Sequence, residues 1–218
     1  MKKFVLISLF SLYISNSYAQ GEVGSFNVQP KVGLNVSHLV STSNRPSIGL
    51  TAGLEWEYQI ADRVSFSFGV MYSMQGAKSK TLHEIMPVGE EGKDAYVDAE
   101  ATLKMNYIQV PLLLNVYVAR GWAFKAGFQF GINTTSNYKS YVSVTQSGQN
   151  ASISEKGDLS DLGVKVNDFG YSVPVGVSYE FHDIVFECRY NIGVPKFFKD
   201  INVTNNVFQL IVGMKFGR

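Results

Sequence analysis

The 218-residue chain has one cysteine, Cys188, so no internal disulfide can form and stability outside the cytoplasm has to come from elsewhere. With three histidines and no Cys or His pair at ligand spacing, it has no metal-site motif. A surplus of one charge is also missing: 19 Lys and Arg face 18 Asp and Glu, which gives no argument for a nucleic-acid partner. Glycine-rich phosphate loops are absent, and no cofactor is expected. After the first twenty residues no apolar run is long enough for a membrane helix. That excludes a helical membrane protein but not a membrane barrel, whose alternating strands are weak hydropathy signals one by one.

The start of the chain reads as a secretory signal. Lys2 and Lys3 form a positive region, residues 4–14 an apolar one, and Ser17-Tyr18-Ala19 supplies small residues for a peptidase. Residues 1–19 are therefore expected to be a signal peptide and 20–218 a single all-β domain. No cysteine follows the apolar run, so a lipid anchor is not expected.

What the chain has in abundance is alternation. Val32, Leu34 and Val36 alternate with Lys31, Gly33, Asn35 and Ser37. Ile48, Leu50, Ala52, Leu54, Trp56, Tyr58 and Ile60 share one face, and Gly49, Thr51, Gly53, Glu55, Glu57 and Gln59 the other. Val64, Phe66, Phe68, Val70, Tyr72 and Met74 oppose Ser65, Ser67, Gly69, Ser73 and Gln75. Strict period two over such lengths means strands, because successive side chains point to opposite faces. The fourth segment, 103–118, changes parity from Leu103, Met105 and Tyr107 to Ile108, Val110, Leu112, Leu114, Val116 and Val118, which predicts a β-bulge near Tyr107. Pro111 then falls on the interior parity, where its missing amide has to be tolerated.

Four more strands follow. Phe124, Ala126, Phe128, Phe130 and Ile132 oppose Lys125, Gly127, Gln129, Gly131 and Asn133. Phe169, Tyr171, Val173, Val175, Val177, Tyr179 and Phe181 oppose Gly170, Ser172, Pro174, Gly176, Ser178 and Glu180. Ile184, Phe186, Cys188, Tyr190 and Ile192 oppose Glu187, Arg189, Asn191 and Gly193. Phe208, Leu210, Val212, Met214 and Phe216 oppose Gln209, Gly213 and Lys215. Connections at 61–63, 119–121 and 182–183 are short, whereas those at 76–101, 136–168 and 195–206 are long and that at 41–46 is modest. In an up-and-down meander this puts every tight turn at one end and every large loop at the other, as in outer-membrane barrels with periplasmic turns and extracellular loops. The expected fold is an all-β, eight-stranded antiparallel up-and-down transmembrane β-barrel with both termini on the periplasmic side.

Alternation alone would also fit a soluble, lipocalin-like barrel with its apolar face inward. Against that reading, the apolar face carries no charge in any span, and its phenylalanines would overfill a bore of about eight strands. The opposite face mixes Gly and Ser with Lys31, Glu55, Glu57, Lys125, Glu180, Glu187, Arg189 and Lys215, charges of both signs that can pair across a narrow lumen. Aromatics gather beside the short turns at Trp56, Tyr58, Tyr117, Trp122, Phe124, Tyr179, Phe181 and Phe216, where an interfacial girdle belongs. The closing strand ends on Phe216 in the manner of a barrel-insertion signal.

The string Gly69-Val70-Met71-Tyr72-Ser73-Met74-Gln75-Gly76 resembles the third-strand motif of the PorT-like outer-membrane β-barrel family of Bacteroidota. Tyr107-Ile108-Gln109-Val110-Pro111-Leu112-Leu113-Leu114 is similar to that family's Tyr-aliphatic-acidic-aliphatic-Pro-Leu-Leu strand, with Gln109 in the acidic place. Ala126-Gly127, Asp168-Phe169-Gly170, Arg189-Tyr190-Asn191-Ile192-Gly193 and the strand from Gln209 to Phe216 also fit, although Pro174 and the terminal Gly217-Arg218 depart from the pattern. The resemblance implies a barrel in the bacterial outer membrane and, through the family's name, an association with secretion. It implies no functional residue.

Chemistry is sparse. His38 beside Ser37, with Glu84 as an orienting acid, is the one arrangement compatible with a small outer-membrane lipid-modifying enzyme; His83 falls in a long loop and His182 in a tight turn. The better expectation is a non-enzymatic barrel whose luminal charges form a paired plug rather than a gated ion path, because unpaired charges in so narrow a lumen are costly. Loop 76–101 is acidic and suited to a partner or to cations bridging lipopolysaccharide. Residues 138–144 still alternate, so the fifth and sixth strands are expected to extend as a ribbon above the membrane. Expected partners are outer-membrane lipid and lipopolysaccharide, the insertion machinery during assembly, and a protein bound through loops 76–101 and 136–168.

Overall fold

In a β-branched and aromatic chain that alternates this strictly, the backbone satisfies its hydrogen bonds between neighbouring strands, and closing the sheet removes its edges. The computed structural model describes residues 22–40, 44–79, 82–88, 93–146, 149–162, 167–194 and 204–217; the expected signal peptide lies outside them. The strands are β1 (Phe26–Val40), β2 (Asn44–Ala61), β3 (Val64–Ser79), β4 (Leu82–Val88), β5 (Lys93–Ala119), β6 (Trp122–Gln146), β7 (Gln149–Asp158), β8 (Phe169–Phe181), β9 (Ile184–Gly193) and β10 (Thr204–Met214). A short 3-10 turn, Leu159–Leu162, follows β7.

The sheet order β4-β5-β3-β2-β1-β10-β9-β8-β6-β7, with a further β5–β6 pairing, describes a closed ring of eight strands with β4 and β7 outside it. Every pairing is antiparallel, and β1 meets β10 from Lys31–Gly213 to Val40–Thr204 to close the ring. Tight turns fall at 62–63, 120–121 and 182–183, with Gly121 (φ 79°) and His182 (φ 56°) in the left-handed region. The first and last described segments lie beside these turns: the Gly24 amide donates to the Gln59 carbonyl, and Val28 and Phe216 exchange backbone hydrogen bonds.

Burial is inverted relative to a water-soluble domain. Most of the side chains sealed inside are polar or charged, among them Gln29, Asn35, Glu55, Asn115 and Arg189, while Leu34, Leu50, Phe124, Phe128, Phe130, Leu210 and Phe186 form an exposed apolar wall. Inward glycines make the room: a Cβ at Gly213 would stand 2.8 Å from Lys31 Cγ, and one at Gly176 would stand 3.2 Å from the Arg189 Cα.

Three expectations need correction. First, β5 carries no bulge near Tyr107; its own irregularity comes at its end, where Tyr117–Ala123 is followed by Ala119–Trp122. Its odd-numbered residues face inward from Leu103 to Tyr117, and its pairing with β3 keeps one register from Val64–Val116 to Lys78–Thr102, with ladder pairs missing only opposite Val110 and Pro111. The register shift lies in β6, where Asn106–Thr135 is followed by Tyr107–Asn133, so Thr134 is the extra residue. The apolar pattern changes because the inner lining changes, from polar residues to Tyr107, Met105 and the cluster of Leu103, Leu39 and Ala77 at the outer mouth.

Second, the connections at 76–101 and 136–168 are not open loops, while residues 195–203 of the third lie outside the described residues. β4 pairs with the start of β5, β7 pairs with the end of β6, and β5 pairs with β6 up to Ala95–Gln146. The ribbon expected between the fifth and sixth barrel strands (β6 and β8) is therefore a four-stranded projection, β4-β5-β6-β7; β8 joins β6 only from Ile132 downward. Third, Tyr117 does not belong to the aromatic girdle. It is buried on the bore side, whereas Tyr58, Trp122, Phe124, Phe181 and Phe216 are exposed on the wall and Trp122 packs on Tyr179 at 4.8 Å.

The interior prolines have a local solution. Amides alternate sides along a strand, and the Tyr117 amide donates to the Arg63 carbonyl on the β3 side. Pro111, six residues earlier, turns its nitrogen the same way, toward Gly69, and the β3–β5 pairing skips there. The Glu180 amide donates to Gly121, so Pro174 faces Gly127, where the β6–β8 ladder skips as well. Each proline's absent donor thus meets a glycine, whose missing side chain lets the strands stay close.

Candidate functional site

Five charged side chains meet in the bore, one each from β1, β2 and β6 and two from β9. Strand parity brings them there: Lys31, Glu55, Lys125, Glu187 and Arg189 all sit on inward positions. Lys31 Nζ lies 2.6 Å from Glu55 Oε1 and 2.8 Å from Glu187 Oε2. Lys125 Nζ lies 3.4 and 3.2 Å from the same two oxygens. Arg189 reaches Glu55 Oε2 at 2.8 Å and also pairs with Glu187 Oε1. Both carboxylates are fully buried and each binds all three cations. Charges removed from water on this scale persist only when each is paired and hydrogen-bonded, as these are.

Three cations against two carboxylates leave one positive charge, and Glu57, two residues nearer the short turns, offsets it. Neutral donors hold Glu57: Gln29 Nε2 at 2.6 Å, Ser65 Oγ at 2.6 Å and the Tyr117 hydroxyl. Glu180 and Lys215 form a separate pair at 2.7 Å beside the short-turn end, the most solvent-accessible of these ion pairs. Of the eight charged residues singled out in the sequence, five therefore form one cluster, two form a second pair, and Glu57 sits between hydroxyl and amide donors. Phe216 lies on the outer wall, bridged to Val28 past the end of β10.

Outward of the ions the lining becomes a relay of amides. Asn35 Nδ2 donates to the Leu50 and Met74 carbonyls at 3.1 and 3.0 Å and to Ser73 Oγ at 2.8 Å. Gln209 Nε2 donates to Asn35 Oδ1 at 2.8 Å, and Asn191 Nδ2 donates to Gln209 Oε1 at 2.8 Å. Asn205 Nδ2 reaches Gln75 Oε1 at 2.6 Å. The charge pattern alone did not single out these residues, nor Gln29 or Tyr117. The signal that finds them is parity: a polar side chain on an inward position of a narrow barrel needs a partner across the bore.

Of the arrangement compatible with an enzyme, Ser37 and His38 do not come together, and the Glu84 and His83 side chains lie outside what the structure describes. Ser37 faces inward, with its hydroxyl on the Ser47 and Gly76 carbonyls, while His38 is exposed on the opposite face and pairs across the ladder with Asn206. His182 occupies its turn against the edge of Phe181. Among the described residues no group of three His, Cys, Asp or Glu side chains could hold a metal ion.

An antiparallel ring with an apolar outer wall, a charged and amide-lined bore, tight turns at one end and long hairpins at the other defines a β-barrel of the bacterial outer membrane. The family model described as outer membrane protein beta-barrel domain matches residues 18–199, and the chain belongs to that family. Among solved structures it is similar to Ail, the attachment invasion locus protein of Yersinia pestis, at 12% identity and TM-score 0.40, over 89% of this chain and 100% of that one. Neisserial surface protein A is similar at 15% identity and TM-score 0.39, over 88% and 97%. The outer membrane protease OmpT of Escherichia coli is similar at 11% and 0.30, over 89% and 94%. No curated protein matches the chain.

Proposed function

We propose that this protein is a non-enzymatic, non-conducting barrel whose ion cluster plugs the lumen and whose outer projection binds a partner or surface ligand. The observation that carries the reading is the cluster itself: Lys31, Glu55, Lys125, Glu187 and Arg189 span the bore from four strands and are all buried. An ion passing that level would have to displace buried pairs at 2.6–3.4 Å. The separation of Ser37 from His38 supports the non-enzymatic side.

β5 has 27 residues and β6 has 25, more than twice the roughly 9–11 that a tilted strand needs to cross a bilayer. Their outer halves, with β4 and β7, stand on a rigid base, the position in which recognition surfaces concentrate. Outer-membrane lipid and lipopolysaccharide surround the wall, and the strand closing on Phe216 suits the insertion machinery. The finer PorT-like assignment, with a role as a secretion or transport accessory, rests on the strand motifs alone and is the second reading.

Planar-bilayer recording tests the plug: no steady single-channel current is expected, and a stable conductance would overturn it. Pull-down from intact outer membranes, comparing wild type with a deletion of 137–167, tests the projection. Loss of specific partners from the deletion is expected, and identical recovery would remove that segment as the recognition element.

A further inference from the structure

Outward of the ion cluster the bore opens into a cavity of about 60 Å³, several times the space one water needs. It reaches the outer strand ends at Asn167 and Val194, and its lining mixes aromatic and apolar groups such as Tyr107 and Val207 with amides. Three of those amides, Gln109, Asn191 and Asn205, are each at least nine-tenths buried. Gln109 Oε1, Asn191 Oδ1 and Asn205 Oδ1 have no hydrogen-bond partner among the described residues. Buried acceptors left unmet cost free energy comparable to a lost hydrogen bond, so their clustering beside one open space calls for an explanation.

Main-chain geometry fixes that at least one of them presents oxygen rather than nitrogen. The Leu50 and Met74 carbonyls accept from Asn35 and so orient its amide, leaving its oxygen to accept from Gln209. Gln209 must then offer its own oxygen to Asn191 Nδ2, which leaves the Asn191 oxygen unmet. Asn205 Nδ2 is similarly engaged with Gln75.

A molecule suited to this lining brings hydrogen-bond donors. An anion leaves the three unmet acceptors unmet and is repelled by them. A cation meets, two residues along β9 from Asn191, the Arg189 cluster with three positive and two negative groups. A neutral molecule rich in hydroxyls has neither penalty, and its carbon skeleton fits the apolar part of the wall. We propose that this outer cavity binds a small neutral polyhydroxylated molecule, whose hydroxyls donate to Gln109, Asn191 and Asn205.

The test uses the mature protein folded in an amine-oxide detergent, which contributes no sugar. Side-chain amide and backbone NMR shifts are followed while erythritol (neutral), ethanolammonium (cationic) or glycolate (anionic) is added. Saturable shifts at the three amides are expected with erythritol only, weakened about tenfold by Gln109→Leu or Asn205→Leu through loss of one acceptor. Both variants leave the Asn35–Gln209–Asn191 relay intact, and an unchanged spectrum elsewhere establishes that each is folded. Shifts that stay linear with erythritol would show a site that holds only water and would overturn the proposal. So would tighter binding of ethanolammonium, or undiminished erythritol binding by a folded variant.

Discussion

The lower and upper halves of β5 and β6 are the same two strands in two solvents, and they reverse their chemistry. Below Tyr107 the outward positions of β5 are Ile108, Val110, Leu112, Leu114 and Val116, and the inward ones include Gln109 and Asn115. Above it one face of β5 carries Lys104, Thr102 and Glu100, and the other, continuous with the bore side, carries Met105, Leu103, Ala101, Ala99 and Val97. Across the pair, Val97 opposes Val144 and Ala99 opposes Val142, while Glu100 opposes Tyr141 and Thr102 opposes Lys139. The backbone does not change; the medium outside it does. Lipid selects apolar groups on the outside of the wall, and water selects polar groups there, with the Thr134 bulge lying at the changeover.

The sharpest way to break this comparison is to strand a charge in the lower half. Glu55→Ala leaves Lys31, Lys125 and Arg189 with one shared carboxylate, and a loss of about 3–5 kcal/mol is expected from urea unfolding in lipid vesicles. Next comes Phe128→Lys, on the lipid face at 66% exposure, with an expected cost of about 2–4 kcal/mol. Gly127→Ala follows: its Cβ would fall 1.9 Å from the Leu112 carbonyl oxygen, and overpacking of about 1–3 kcal/mol is expected by the same assay. The smallest effect belongs to the upper half. Ile153→Lys, at 75% exposure on β7, is expected to change stability by about 0.5 kcal/mol or less, because water already surrounds it. Equal costs for Phe128→Lys and Ile153→Lys would erase the distinction between the halves.

Most of the barrel was legible because period-two alternation is set by strand geometry and does not depend on knowing the partner strand. Ile48 to Ile60 on β2 shows this, since every apolar residue there lies on the outward parity. The eight ring strands and the tight turns follow from the same pattern. The pattern failed where its meaning changed. Leu103, Met105 and Tyr107 are apolar for packing at the mouth, while Ile108 and Leu112 are apolar for lipid, and hydrophobicity alone cannot distinguish the two. A parity change was therefore read as a bulge in β5, when the extra residue stands across the ladder in β6. β4 and β7 were hidden for a related reason: on β7 one face is polar, with Ser152, Ser154 and Lys156, and the other mixes Ala151 and Ile153 with Glu155, so no continuous lipid-facing stripe announces a strand.

The site was legible as a set of charges but not as a geometry. Inward parity gave Lys31, Glu55, Lys125, Glu187 and Arg189 together, whereas which carboxylate meets which cation depends on strand stagger around the ring. Tyr117 shows the limit most clearly. Its aromatic ring near a turn reads as a girdle residue, yet its odd parity on β5 puts its hydroxyl on Glu57.

The central claim is that the apolar wall is held by lipid while the ions hold the bore. It is tested most directly by diluting the urea-unfolded mature chain into either plain buffer or vesicles, and following far-ultraviolet circular dichroism with Trp56 and Trp122 fluorescence. The account predicts cooperative β-structure and a blue-shifted tryptophan emission only when bilayer is present. A monomer that folds in buffer and ignores the vesicles would contradict it.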